Sequence, residues 1–264
     1  MKIDLNDKVT RFLVQDYVNQ ICNYQSKDEL NFDIHKLIHT FDVVKMAEHL
    51  ICETKPKLPL KLQKQILNAV LLHDWGRCYE FKNGARLKNI DHGKIGADLI
   101  KKNFPNMKVE MQSTLYHNKM PSSRDPKVAQ PVLDYVRDSD MLANIQYEIE
   151  HFDIFIEHIW GNNHNKVSKL VIDDEIIKAV QDKRAAILSD VKGCDLLTLS
   201  LWQLCWIYNL RTEAGKKINK KNKLFLRFKE LIYQRIVPLV VLNKKEQHTI
   251  RGQIDKIFPN KILL

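Results

Sequence analysis

One pair of residues limits what this chain can become. Leu71-Leu72-His73-Asp74-Trp75-Gly76-Arg77 follows directly on Ile66-Leu67-Asn68-Ala69-Val70. An imidazole and a carboxylate therefore stand side by side at the end of a helix apolar enough to be buried. Both groups resist burial unless they are paired or bound. A polar pair in that place points to metal ligation, and mixed nitrogen and oxygen donors suit Mn, Fe, Co, Ni, Zn or Mg. Further ligands must then come from elsewhere in the chain.

Helical periodicity dominates the sequence. Val9, Phe12, Leu13, Tyr17, Val18 and Ile21 recur at helical spacing over 8–24, and Leu37, Ile38, Phe41, Val44, Met46, Ala47 and Leu50 do so over 35–53. Pro56 and Pro59 interrupt the chain. Helices are expected over 60–73, 92–103, 108–117 and 129–146, then over 148–160, 173–188, 195–212 and 222–235. Residues 76–90 and 118–128 read as loops, rich in Gly, Asn, Pro and Ser. The best strand signal, Leu239-Val240-Val241-Leu242, can equally end a helix. No repeat, low-complexity run or linker separates the halves. The simplest reading is all-α, with one helical domain over 1–240 and a basic extension over 241–264.

Composition narrows the setting. The five cysteines are odd in number and form no Cys-x-x-Cys unit, which argues against a disulfide framework and a thiolate zinc site. A reducing cytoplasm is the expected location. Met1–Asp7 lacks the apolar run of a signal peptide. No stretch of about 18 uncharged apolar residues exists, so no membrane span is expected. The formal charge of +10 is concentrated at one end: residues 211–264 hold fourteen Lys or Arg against four acids, and the rest is balanced. Such a tail suits an acidic partner, a nucleic acid or a membrane surface. The plainer reading is a solvated helix face, since no aromatic residues interleave with the charges as a stacking platform.

Four of the ten histidines fall where metal chemistry can use them. His39, His73, His92 and His117 sit on or beside separate expected helices, with Asp74 next to His73. A further carboxylate comes from Arg137-Asp138-Ser139-Asp140-Met141-Leu142, where either Asp138 or Asp140 can face inward. The separations each allow one helix and a connection, so five helices can deliver ligands to one centre in a bundle. His35, His49, His151, His158, His164 and His248 read as surface or structural, and Trp202, Trp206, Phe225 and Phe228 as core.

Taken together, these elements carry a resemblance. His39-Thr40; Leu71-Leu72-His73-Asp74-Trp75-Gly76-Arg77 with Glu80-Phe81; Ile90-Asp91-His92-Gly93-Lys94-Ile95-Gly96-Ala97; His117-Asn118-Lys119; and Val136-Arg137-Asp138-Ser139-Asp140-Met141-Leu142 resemble, in order, the motifs of the HD-domain superfamily of metal-dependent phosphohydrolases. The likeness is to a branch of small bacterial HD proteins, and Leu201–Leu210 resembles that branch's C-terminal helix. It covers roughly residues 30–235.

The resemblance implies a multi-helix bundle with a metal centre between helices. His39, His73, Asp74 and Asp140 would hold one divalent ion, Asp140 being preferred as the second acid of Asp-x-Asp. His92 and His117 match positions that bind a second ion, with Asp74 bridging. With one ion only, these two histidines would contact phosphate or move protons. Asp74, Arg77 and Lys94 would serve catalysis, and Arg77, Lys94 and Lys119 would bind substrate. Phe41-Asp42 stand where many relatives carry a basic residue, a departure that bears on phosphate contacts in that corner and on substrate choice.

The implied activity is hydrolysis of a phosphomonoester or phosphodiester by metal-activated water, with a nucleotide or nucleotide-like small molecule as substrate. The rival reading is a catalytically weak HD module that binds nucleotide or nucleic acid as a regulator. A nuclease guided by the basic tail ranks below the small-molecule enzyme.

Overall fold

The computed structural model describes residues 7–82, 85–86, 90–119, 126–127, 129–157, 172–187, 194–241 and 243–264. Its helices begin where side-chain oxygens take the first backbone N–H groups. Asp7 accepts from Val9 and Thr10 to open α1 (Lys8–Cys22). Ser26 accepts from Glu29 to open α2 (Lys27–Glu53). The Glu29 carboxylate reaches back to the Gln25 N–H at 2.8 Å, a variant of the capping box. This cap lets α2 start eight residues before its apolar stripe. Then come α3 (Leu60–Leu72), a 3-10 turn over Trp75–Tyr79, and a two-residue hairpin pairing Phe81–Lys82 with Ala85–Arg86. α4 (His92–Asn103), capped by Asp91, leads to α5 (Lys108–Tyr116) and α6 (Gln130–Glu150).

The later helices are shorter than their apolar patterns imply. α7 covers only Phe152–Phe155 and α8 only Asp174–Gln181. α8 stops because Lys183 is left-handed at φ 52°, and the Arg184 N–H closes on the Ala179 carbonyl at 2.9 Å. α9 (Leu196–Leu204) tightens into a 3-10 turn over Cys205–Asn209. α10 (Glu213–Asn222) lies in a segment too polar to show periodicity. α11 (Leu224–Leu231) passes through a π-helical turn into α12 (Val237–Val240), followed by α13 (Lys244–Ile257) and α14 (Asn260–Leu263). The fold is all-α. Of the two readings of Leu239-Val240-Val241-Leu242, the helix end holds for the described residues: it closes α12, with Val241 as its extended cap, and Leu242 lies outside the described residues.

The chain divides into two compact units, residues 1–144 with 211–215, and residues 145–210 with 216–264. The division falls within α6 and within α10. In the first unit α2, α3, α4 and α5 pack on one another, burying Val43, Ala47, Leu50, Ile66, Val70 and Ile100. The turn after α3 lies directly against the start of α4. A Cβ on Gly76 would sit 2.1 Å from the His92 carbonyl oxygen, so only glycine permits this approach. In the second unit α9, α11 and α12 bury Leu201, Leu204, Phe225, Phe228 and Ile232, as a core assignment for these aromatics requires. Residues 244–263 belong to this unit, with Ile250, Ile254, Phe258 and Leu263 buried. The buried Lys229 ammonium donates to the Phe258 carbonyl at 2.8 Å and Asn260 Oδ1 at 2.9 Å, and pairs with Asp255 at 2.6 Å. These partners offset the cost of burying the charge. Among the described residues, no helix is long and apolar enough to cross a membrane.

Glu148 of α6 gives the second unit a pH signature. It is buried, accepts a hydrogen bond from Gln203 Nε2, and burial pushes its carboxyl from 4.5 up to about 8. The unfolded chain releases this proton above 4.5 but the folded one only above about 8, so stability falls as pH rises through that window. Glu148→Gln removes this dependence. Its unfolding free energy from urea titration should lie near wild type at pH 5 and exceed it at pH 9 by on the order of 4 kcal/mol. A difference that stays the same at both pH values would assign the carboxyl an ordinary pKa.

Candidate metal centre

Two helix ends aim the central histidines by the same local device. The last carbonyls of a helix lack intrahelical partners. His73, the C-cap of α3, bonds through Nδ1 to the Val70 carbonyl at 2.7 Å. His117, the C-cap of α5, bonds through Nδ1 to the Thr114 carbonyl at 2.6 Å. A carbonyl only accepts, so Nδ1 carries the proton in both rings and each Nε2 keeps its lone pair. His39 comes from α2, His92 is the first residue of α4, and Asp140 comes from α6.

All these atoms converge on Asp74. Its Oδ2 lies 3.8 Å from His73 Nε2 and 3.9 Å from His39 Nε2. Its Oδ1 lies 3.4 Å from both His92 Nε2 and His117 Nε2. Asp140 Oδ1 is 3.0 Å from His39 Nε2 and 3.8 Å from His73 Nε2. Two donor groups result, His39, His73 and Asp74, and Asp74, His92 and His117, each with its ligand atoms within 4.8 Å of one another. Every residue of both groups is buried.

The electrostatics favour the ligand forms. Burial lowers His73 to about 4. Burial and then the Arg77 charge lower His92 to about 2. Burial alone would raise Asp74, but Lys36 and Arg77 beside it hold it well below the usual carboxylate range. Burial opposes ionisation of Asp140 too, and His39 and His73 outweigh it. Burial thus disfavours the charged forms of His73 and His92, which face the Asp74 carboxylate. His73 Nε2 is buried with no hydrogen-bond partner. A lone pair opposite carboxylate oxygens is repulsive unless a cation lies between them. The residues therefore fit a divalent ion, with nitrogen and carboxylate donors suited to Mn, Fe, Co, Ni or Zn.

Asp138 and Asp140 have separate tasks. Asp138 is fully buried and accepts from the Arg211 N–H at 3.0 Å, the Thr212 N–H at 2.8 Å and the Thr212 hydroxyl at 2.6 Å. Burial raises its carboxyl to about 6. Two residues further, roughly 200° around the helix, Asp140 faces the histidines.

The remaining sequence candidates are placed less centrally. Arg77 is at the cluster, but its Nε donates to Asp74 Oδ1 at 3.3 Å and its Nη1 to Glu80 Oε1 at 2.6 Å. Lys94 is exposed on α4, away from the face that carries His92. Lys119 pairs with Asp91 at 3.5 Å and lies over the Tyr116 ring. Asp42, in the corner where a basic residue was looked for, pairs with Lys45 at 2.9 Å.

One contact escaped the sequence reading. Lys36 Nζ lies 3.2 Å from Asp74 Oδ2. The available signal was its spacing, three residues before His39 and so on the same face of α2. Glu80 has a defined place as well, with Oε1 3.5 Å from His92 Nδ1, where a carboxylate orients the ring. Behind the centre, Tyr17 donates to the Asp74 carbonyl at 3.4 Å, and Asp16 accepts from Trp75 Nε1 at 2.7 Å and from the Tyr79 hydroxyl at 3.1 Å. α1 thus fastens the turn that carries Asp74. Of the other histidines, His35 is buried beside His39, His49, His151 and His248 are exposed, and His158 and His164 lie outside the described residues.

Comparison with family models, with curated proteins and with solved structures returns no match. The metal-compatible cluster therefore rests on geometry and donor chemistry.

Substitution separates the two aspartates. Asp138→Ala leaves three donors without their acceptor and should cost about 3 kcal/mol or more in urea unfolding of metal-free protein. Asp140→Ala should leave that stability within about 1 kcal/mol. Its metal affinity, read by calorimetric titration with Mn2+, should fall by more than the roughly 10–100-fold typical of losing an outer partner. The reverse pattern would make Asp138 the ligand.

Proposed function

We propose that this chain is a metal-dependent phosphohydrolase of the HD type, acting on a phosphorylated small molecule such as a nucleotide. The observation that carries the reading is the aim of His73 and His117, whose Nδ1 atoms are taken by helix-end carbonyls and whose Nε2 atoms face opposite oxygens of one buried carboxylate. The order of motifs around them, which resembles the HD superfamily, supplies the reaction class.

In this reading His39, His73, Asp74 and Asp140 hold one divalent ion, and His92 and His117 with Asp74 hold a second. Bound ions of this kind lower the pKa of water toward neutrality and draw charge from phosphorus. The chain's own groups do the rest. The Nδ1 bonds of His73 and His117 fix their rings, and Glu80 orients His92. Arg77 Nη2 takes part in neither bond to Asp74 or Glu80 and can donate to a phosphate oxygen. The buried walls around Asp74 keep competing water out.

The regulator reading keeps one observation in its favour: Arg77 is tied to Asp74 and Glu80, and Lys94 lies on the exposed face of α4. The deciding experiment is phosphate or nucleoside release from mono-, cyclic and dinucleotides. Metal-stripped protein is refilled with Mn, Co, Ni, Mg or Zn, and His73→Ala runs alongside. Release should require a metal and fall by at least about 1,000-fold in the variant, as for other groups that act as a unit. Nucleotide binding without turnover on every metal would establish the regulator instead.

A further inference from the structure

Taking the proposed metal-dependent phosphohydrolase as its premise, we infer that the site takes a terminal, dianionic phosphate, that is, a phosphomonoester, and that Lys36 is a substrate-binding residue for it. Two observations carry this: the distribution of charge around Asp74 and the side on which the cluster opens.

Asp74 and Asp140 balance one divalent ion. Glu80 balances Arg77, whose Nη1 lies 2.6 Å from it. Lys36 is then left over, because its one carboxylate neighbour in the cluster, Asp74 at 3.2 Å, is spent on the ion. A second ion on Asp74, His92 and His117 adds two positive charges and no new carboxylate. The centre carries a surplus of one positive charge with one ion and of three with two. An ammonium beside an ion-bound carboxylate is repelled by the ion unless an anion bridges them. With both donor groups occupied, a dianion offsets this surplus further than a diester monoanion does.

The geometry agrees. The side chains of His39, His73 and His117 are 2% exposed or less and Asp74 is 4% exposed, whereas Lys36 is 13%, Arg77 23% and Asp140 27% exposed. The more exposed groups of the cluster are therefore an ammonium, a guanidinium and the Asp140 carboxylate. Lys36 contacts Asp74 Oδ2 and Arg77 contacts Oδ1, so the two cations flank opposite oxygens of the central carboxylate. A terminal phosphate has three free oxygens to distribute between these cations and the ions. A diester offers two, with one charge between them. Lys36, about one helical turn before His39-Thr40 on α2, supplies a cation that Phe41-Asp42 do not.

The test is binding, measured by calorimetry on full-length protein loaded with Mn2+, using methyl phosphate and dimethyl phosphate at pH 8. Methyl phosphate should bind about tenfold tighter or more, the equivalent of about one charge-assisted hydrogen bond. Lys36→Gln should remove most of that preference while Mn2+ affinity, titrated separately, stays within about threefold. Lys36→Arg, which keeps the charge, should retain the preference and guards against a folding defect in the Gln variant. Equal affinity for the two phosphates in wild type overturns the dianion assignment. An unchanged preference in Lys36→Gln, with a loss of Mn2+ affinity in its place, makes Lys36 a structural partner of Asp74 and overturns its role. Failure of the wild type to take up Mn2+ defeats the underlying hydrolase reading, a result distinct from metal uptake without discrimination.

Discussion

The centre depends on the Asp74 carboxylate presenting its two oxygens to different sets of groups. Oδ2 meets Lys36, His39 and His73, and Oδ1 meets Arg77, His92 and His117. This arrangement requires four structural decisions to agree. α3 must end at residue 72, so that His73 turns its ring onto the Val70 carbonyl. The 3-10 turn must follow at once, which places Asp74 at φ −99°, ψ 11°. Gly76 must lack a side chain so that α4 can begin against that turn. α1 must hold the turn through Tyr17 and Asp16. A change at any of these points moves a charged group that has little solvent to compensate it.

The sequence pointed to the clustered His and Asp residues more readily than to the residues that support them. α4 matches its expected bounds, because Asp91 caps it and Phe104-Pro105 end it. α3 and α5 match within a residue, because each has a strong apolar face or a clear stop. The start of α2 was missed because its first turns carry charge rather than an apolar stripe, although the Ser26–Glu29 spacing was present. α10 was missed for the same reason, its sequence Glu213–Asn222 burying little beyond Ala214, Ile218 and Asn219. α8 was drawn too long, since nothing in the residue type of Lys183 announces a left-handed backbone. Lys36 was overlooked because a lone lysine has no spacing rule of its own. Its meaning comes from Asp74, which lies 38 positions away in sequence.

Asp138 and Asp140 show how one helix can serve architecture and chemistry within three residues. Asp138 captures the chain where it returns at Arg211 and Thr212, and a Cβ on Gly215 would lie 2.5 Å from its carboxylate. That close approach explains why residues 211–215 cluster with the first unit although their neighbours in sequence cluster with the second. The histidine-facing carboxylate two residues on is then fixed by the same helix, with Asn144 donating to its Oδ1 at 2.8 Å.

The two cations around Asp74 also bear on how such a centre survives without its ions. Four imidazoles and two carboxylates, buried and unpaired, would be strongly unfavourable. Lys36 and Arg77 each place a positive group within 3.3 Å of one Asp74 oxygen, which holds that carboxyl well below the usual carboxylate range. Neither cation can satisfy His73 Nε2, since lone pair and cation are not brought within hydrogen-bonding distance. The residual unpaired imidazole is the part of the cluster that only an arriving cation relieves. An arriving cation therefore relieves His73 Nε2, while Lys36 and Arg77, on opposite oxygens of Asp74, can turn to an anion.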